Sequence, residues 1–503
     1  MNNATTQALI QQKMDNLSLM WSAIATYLIF LMQIGFAFLH VGNIRFRFTQ
    51  SALIKKLINV SISCMVWWLC GLAFSFGSDN GSFLGDQLFI NQSLTGQEYG
   101  QWMFHFAYAI TCTTIFSGCV AERIKMLPFC LFNCILIGFI YPVAVHWSWS
   151  GGWLHDLNYH DFSGSGIIHL IGGTAGLAGG ILLGPRKGRF EITGKYRKQE
   201  FLPSNMGFVA LGTFTLWIGW YGMNCGTVSP LMIDRERSDS SFYSIALIGK
   251  VAINSTLAPS ICGSTVFFMH YFENRKTNHP FSLKALCDGI LAGLVSVSAS
   301  CDNVKPWAAF TIALMAGFVY HFSNKLQRKL KYDDPLNGLS IHMICGIWGS
   351  IMVGWFDENY GILYGYGGRQ FGIQILGCLV NFSWAFFVSF IVLYLFKICK
   401  WVGLRISLEE EELGSDVMHY GGYSLIFDMD HLRIAKGEIT LRGKKIKLNG
   451  SKNHLVLDTQ HNARLSSELG EEVFKNLNKS YDIESQDLTE MIGTLKVNKV
   501  HSF

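Results

Sequence analysis

The chain has 503 residues, of which 50% are hydrophobic and only 15% charged, against about a quarter charged in an ordinary soluble protein. The charges are clustered and leave long uncharged runs, which read as membrane helices and not as one soluble core. A net charge of +5 is too small to argue for a nucleic-acid partner, and the 13 cysteines, all before Trp401 and without a CxxC pair, indicate neither a zinc site nor a disulfide framework.

Residues 1–20 are polar and lack the basic stretch and short apolar core of a signal peptide, so they are expected as an extracellular tail. Eleven membrane spans are expected within residues 21–400: Trp21–Val41, Leu57–Phe76, Trp102–Val120, Leu127–Trp147, Gly166–Leu183, Met206–Thr227, Phe242–Tyr271, Ala285–Ser300, Trp307–Phe322, Ser340–Phe356 and Phe371–Phe396. Each is an apolar run of helical length. The odd-numbered loops carry the Lys and Arg residues, among them Arg45, Arg47, Lys55, Arg123, Arg186, Lys187, Arg275 and Arg328. Those loops are therefore expected in the cytoplasm, with the N-terminus outside and the C-terminus inside. Asn3, Asn16 and Asn91 begin N-x-S/T sequons on the outer side, which makes a glycoprotein the expectation. Residues 401–503 read as a cytosolic tail without a span; Arg433–Asn449 alternates like a small hairpin, and Leu465–Asn478 has the pattern of an amphipathic helix.

Two spans share one pattern, I-H-x-I-x-G-x-x-G. The fifth has Ile168, His169, Ile171, Gly173 and Gly176; the tenth has Ile341, His342, Ile344, Gly346 and Gly349. A buried ionisable group in a bilayer is costly and usually has a partner or faces a cavity. Five spans separate the copies, so they cross in opposite senses. That is the mark of inverted five-helix repeats, spans one to five against six to ten, with a site near the midplane. His169 and His342 are expected to face each other there. His40 and His105 read first as packed histidines, and Asp288 and Lys250 as capping or snorkelling groups near span ends.

Further stretches are GFAFL from Gly35, AERIK from Ala121, YPVAVHWSWSGGWL from Tyr141, DFSGSGIIHLIGGTAGLAGG from Asp161 and GWYGMNCG from Gly219. LAGLVSVSASC from Leu291, DDPLNGLSIHMICGIWG from Asp333 and GLRIS from Gly403 complete the set. Together, from about Trp21 to Gly422, they resemble the ammonium transporter family (Amt/Mep/Rh), above all its plant-like branch. The resemblance implies an all-α polytopic membrane protein with eleven transmembrane helices around one pore per subunit, assembled as a homotrimer in the membrane lipid. It implies a transmembrane domain over 21–400 and a regulatory segment over 401–423; residues 424–503 match no known pattern and leave room for a cytosolic partner.

The same resemblance places the pore histidines at His169 and His342 and the ammonium-recruiting residues at Trp149, Thr227 and Tyr108. It places the outer-mouth acid at Asp161 and the pore gate at Phe104, Tyr108 and Met223. Tyr108 and Met223 stand where the family usually has paired phenylalanines, His40 where it has a glutamate, His105 where it has a glutamine. Asn337 replaces the last acid of DDPxD, and Met418 a regulatory threonine.

The expected function is ammonium transport. Ammonium and potassium are alike in size and charge, but ammonium donates hydrogen bonds and can lose a proton. Aromatic faces hold a cation, and an apolar pore penalises it. The resemblance implies deprotonation at an outer vestibule, ammonia conduction past the twin histidines and an electrogenic proton relay, in the plasma membrane. An ammonium sensor on the same fold is the alternative; a haem protein with the two histidines as axial ligands is the third reading. No phosphate-binding loop or nucleophilic triad appears, so neither an enzyme nor a cofactor is expected.

Overall fold

A bilayer offers no water to backbone N–H and C=O groups, so apolar runs satisfy them internally as helices. The computed structural model describes residues 3–78, 83–91, 94, 96–190, 201–228, 241–420, 438–441 and 444–447. Each expected span lies on a helix. In the first half these are α1 (Asn3–Asn43), α2 (Thr49–Val66, continued through a π turn at Trp67–Gly71 into Leu72–Phe76) and α3 (Gly96–Cys119). They are followed by α4 (Met126–Ile135, a π turn at Leu136–Ile140, Tyr141–Trp149) and α5 (a π turn at Ser165–His169, then Leu170–Leu183). The second half has α6 (Met206–Gly226), α7 (Ser241–Asn274), α8 (Leu283–Val297), α9 (Pro306–Lys329), α10 (a π turn at Leu339–Ile344, then Cys345–Phe356) and α11 (Arg369–Ile398).

Among the described residues, seven helical stretches are long and apolar enough to cross a membrane: Asn16–Asn43, Phe46–Phe76, Met126–Asp156, Ser165–Leu183, Ala246–Asn274, Leu339–Phe356 and Arg369–Ile398. The chain is a multi-pass membrane protein. Helix α1 starts well before the apolar run, at Asn3. The segment expected as an extracellular tail holds Ala, Gln, Leu and Met with neither Gly nor Pro, so nothing in it stops a helix.

The most apolar window of α5 is 89% buried, that of α11 only 28%; α5 is central and α11 peripheral. Helix α1 packs along α6. The contact is close because a methyl at Gly35 would lie 2.8 Å from Leu216 Cγ, and one at Gly212 would lie 2.6 Å from Leu39 N; small residues are what let membrane helices approach.

On the side expected to be cytoplasmic, buried charges are paired. Arg186 donates to Asp333 through Nε (2.8 Å) and Nη2 (2.9 Å) and to Glu122 through Nη1 (2.7 Å). Arg45 also bonds Glu122. The segment after α11 is stitched onto this surface: Lys125 N donates to Leu404 O (3.1 Å) and Ile406 N to Arg123 O (2.9 Å). Two short helices follow, α12 (Leu408–Leu413) and α13 (Ser415–Tyr420). Glu411 accepts from Lys187 N and Arg405 Nη2, both at 2.7 Å.

Asp288 is no span-end cap. It is buried and accepts from Tyr320 Oη (2.8 Å), Asn337 Nδ2 (2.7 Å) and Lys284 Nζ (3.1 Å). Lys250 bonds Glu358.

The chain divides into two units, Met1–Gly422 and Tyr423–Phe503. In the second, β1 (Glu438–Leu441) pairs antiparallel with β2 (Lys444–Lys447), within the stretch read as a hairpin. Leu465–Asn478 lies outside the described residues.

Candidate pore site

His169 and His342 are brought together. Their Nδ1 atoms are 3.2 Å apart, with ring centroids 5.2 Å apart and planes 21° apart. A neutral imidazole has one N–H and one bare nitrogen. The Nδ1–Nδ1 bond therefore sets opposite tautomers: one ring donates through Nδ1 and keeps Nε2 bare, and the other accepts at Nδ1 and carries its proton on Nε2. His169 Nε2 is buried without a protein partner. Each histidine ends or sits within a π turn. The turn of α5 is seeded by Gly164, at φ 95°, whose carbonyl accepts from Ile168 N (2.8 Å) and from His169 N (3.0 Å).

The packing around the pair is reciprocal. A methyl at Gly173 would lie 2.7 Å from Met343 N, and one at Gly346 would lie 2.5 Å from Ser165 O and 3.3 Å from Leu170 N. Each motif glycine thus meets the other copy's histidine turn. The second motif glycines pack on other helices: Gly176 lies against Cys119 of α3, Gly349 against Ser296 of α8. The rings follow suit. His169 stacks on Trp220 of α6 (5.2 Å, 17°), and His342 packs on Phe36 of α1 (6.3 Å, 48°). Trp220 is fixed by Nε1 donating to Ser298 Oγ at 3.0 Å.

A second cluster gathers Trp149, Tyr108, Phe104 and Thr227. The Tyr108 ring lies 4.6 Å from Phe104 and 5.9 Å from Trp149. Tyr108 Oη lies 2.7 Å from Thr227 Oγ1 and donates to Met223 O at 2.8 Å. Met223 therefore meets Tyr108 through its backbone carbonyl. Thr227 Oγ1 also bonds Met223 O (2.9 Å) and Ser163 Oγ (3.1 Å). His105 adjoins this cluster, 4.1 Å from Phe76 and 6.3 Å from Trp149 between ring centroids.

Asp161 is tied to the cluster by its carbonyl, which accepts from Trp149 Nε1 at 2.7 Å. Its carboxylate turns the other way and accepts from Gly164 N (3.0 Å), Gly166 N (2.8 Å) and Ile167 N (2.9 Å). It caps the helix that carries His169. Burial pushes this carboxyl up to about 6, against the three backbone N–H groups that pull it down.

Every residue expected at the site falls in one of these two clusters. Trp220, Phe36 and Ser163 were not foreseen. Trp220 stands inside the quoted GWYGMNCG and Phe36 inside GFAFL, but an aromatic in an apolar run carries no mark of its role. Ser163 lies in the quoted DFSG.

A family model described as "Ammonium Transporter Family" matches residues 20–424. Ammonium transporter 1 member 3 of Solanum lycopersicum is 33% identical over 438 residues, covering 82% of this chain and 93% of that protein. Ammonium transporter 1 member 1 of Arabidopsis thaliana is 33% identical over 417 residues, covering 77% of this chain and 81% of its own length. Among solved structures, one described as a Sensor Amt Protein aligns with a TM-score of 0.72 at 30% identity, over 81% of this chain and 99% of that one. Mep2 of Candida albicans has the same fold, with a TM-score of 0.69 at 24% identity, over 78% of this chain and 87% of its own.

Proposed function

Because the chain belongs to the ammonium transporter family, we propose that it carries ammonium across the plasma membrane by deprotonating it at an outer vestibule and conducting ammonia past His169 and His342. The single observation that carries this reading is the Nδ1–Nδ1 contact of the two histidines at 3.2 Å. The reciprocal glycine packing supports inverted repeats of five helices with an eleventh added, the Lys and Arg of the odd-numbered loops support an N-terminus outside, and the relatives' names support ammonium as substrate. A homotrimer and residues 401–423 as a regulatory segment belong to the same proposal.

The outer cluster receives the cation. Trp149, Tyr108 and Phe104 offer ring faces, worth about 0.5–2 kcal/mol to a cation. The Thr227 oxygen already has three partners, so ammonium bonds it only by displacing one. Ser163, the longest of the three, is the partner that yields. Asp161 has its oxygens committed to backbone N–H groups and acts on the cation by charge. Phe104, Tyr108 and Met223 form the gate below.

Beyond the gate a charged ion is costly and ammonia is not. The proton leaves ammonium, and the N–H electron pair stays on nitrogen. It reaches the bare Nε2 of one imidazole, the Nδ1 proton of that ring crosses to the other, and the second ring releases its own Nε2 proton. One net proton passes without either ring staying charged. Transport is electrogenic on this scheme. Ammonium-evoked current at fixed voltage, in a cell without its own ammonium transport, tests it. A saturable inward current that potassium leaves unchanged is expected, and its absence with protein at the surface overturns it.

A second reading, an ammonium sensor with little flux, is favoured by the likeness to the Sensor Amt Protein. Ammonium binding without current or ammonia flux is its signature.

A further inference from the structure

We propose that His40 is a third proton-carrying residue, which takes the proton from the histidine pair to a cavity at the inner end of α1; this rests on the relay reading above. Phe36 and His40 of α1 and Ile44, just past its end with its N–H on His40 O at 3.0 Å, are spaced by four residues and so share one face. At one end of that face Phe36 packs on His342. At the other end His40 and Ile44 line a cavity together with Ser51, Lys55, Ser117 and Glu122. One helix face therefore leads from the pair to the cavity, and His40 is its only ionisable member.

Glycines on other elements pack against both rings, with Leu336 and Cys119 as their other close neighbours. A methyl at Gly118 of α3 would lie 2.9 Å from His40 Nε2, and one at Gly338 would lie 3.9 Å from His342 Cδ2. The other ionisable groups here have partners of their own, and Lys56 Nζ also stands 5.9 Å over the Phe36 ring. Lys55 Nζ donates to Ile124 O at 2.7 Å and Lys56 Nζ to Thr114 O at 3.2 Å. Glu122 is held by Arg45 and Arg186. A neutral imidazole at position 40, with one acceptor and one donor nitrogen, is the group suited to pass a proton onward. His342 gives its Nε2 proton through a hydrogen-bonded water to the bare nitrogen of His40, and His40 releases its other N–H proton to water in the cavity. Bonds and charges balance at each step, and no further reactant is needed.

The test uses the full chain in proteoliposomes, recording ammonium-evoked current and ammonia uptake for wild type, His40→Gln, His40→Glu and His342→Ala. Glutamine keeps the size and polarity of the site but does not titrate; glutamate titrates. The expected result is that His40→Gln keeps ammonia uptake and loses charge per ammonia by about 100-fold, the low end for a lost proton-transfer group. His40→Glu restores the charge. A wild-type ratio in His40→Gln overturns the proposal. So does an equal loss of both signals in both His40 variants, which assigns His40 to packing. A wild type that moves no charge, or an unchanged ratio in His342→Ala, overturns the relay itself and is distinct from the failure of His40 alone.

Discussion

Trp220 lies nearly parallel to His169, 17° between planes and 5.2 Å between centroids, with its own Nε1 anchored on Ser298 at 3.0 Å. The tryptophan is thus the wall that fixes the tilt of one histidine. Trp220→Phe keeps a ring without the anchor, and Trp220→Leu removes the ring. Ammonia uptake is expected to fall about tenfold in the leucine variant, equivalent to ~1.4 kcal/mol of lost positioning, and much less in the phenylalanine variant. Uptake rates normalised to surface protein check it; equal loss in both would show that stacking is not what matters.

The crowded Thr227 oxygen gives an unusual pair of expectations. Thr227→Val removes the acceptor, and the half-saturating ammonium concentration should rise about fivefold, one hydrogen bond's net worth. Tyr108→Phe keeps the ring face and takes one partner off Thr227, so the half-saturating concentration should fall. Concentration series of current or uptake measure both. A rise in Tyr108→Phe would mean that the hydroxyl itself binds the cation.

The ion cluster predicts acid sensitivity. Burial raises the Glu122 carboxyl, but Arg45 and Arg186 outweigh it and hold it below its ordinary value. Asp333 is likewise raised by burial and pulled well below by Arg186. Carboxyls with depressed values in the fold contribute stability that is fully present above the ordinary carboxylate range, and lose it as pH falls through the depressed values. Thermal unfolding in detergent should therefore be flat near neutrality and drop below about pH 4. Glu122→Gln leaves two buried guanidiniums short of charge and should cost about 3–5 kcal/mol, with a weaker acid dependence than wild type. A variant as stable as wild type at neutral pH would contradict the pairing.

Asp416 accepts from Gln50 N at 2.8 Å and Ser51 N at 2.9 Å, so a residue near the end of the first unit caps the first turn of α2. Asp416→Ala should cost about 1 kcal/mol, as for a lost N-cap, and free α12 and α13 for proteolysis. Limited digestion around residues 404–420 reads this out; unchanged protection would show that Glu411 and Arg405 hold the segment alone.

The helices were legible because a membrane span needs a long apolar run, and such runs stand out in any sequence. The histidine pair was legible for a different reason: one motif occurs twice, on two separate helices. Asp288 was misread as a span-end group because sequence gives its depth but not its partners, Tyr320 and Asn337, which come from other elements. Trp220 and Phe36 were invisible as site residues because apolar aromatics are common in spans. The direction of the Asp161 carboxylate, towards its own helix, is set by three backbone N–H groups that no residue type encodes.

The π turns at Ser165–His169 and Leu339–Ile344 each accommodate one residue more than an α turn does. Deleting one residue from either turn would restore regular helix and swing its histidine by about 100° around the axis, out of reach of its partner, with no side chain in the motif altered. The meeting of the two rings is therefore a matter of chain length as much as of residue identity. A scan that only replaces amino acids leaves this dependence on chain length unprobed.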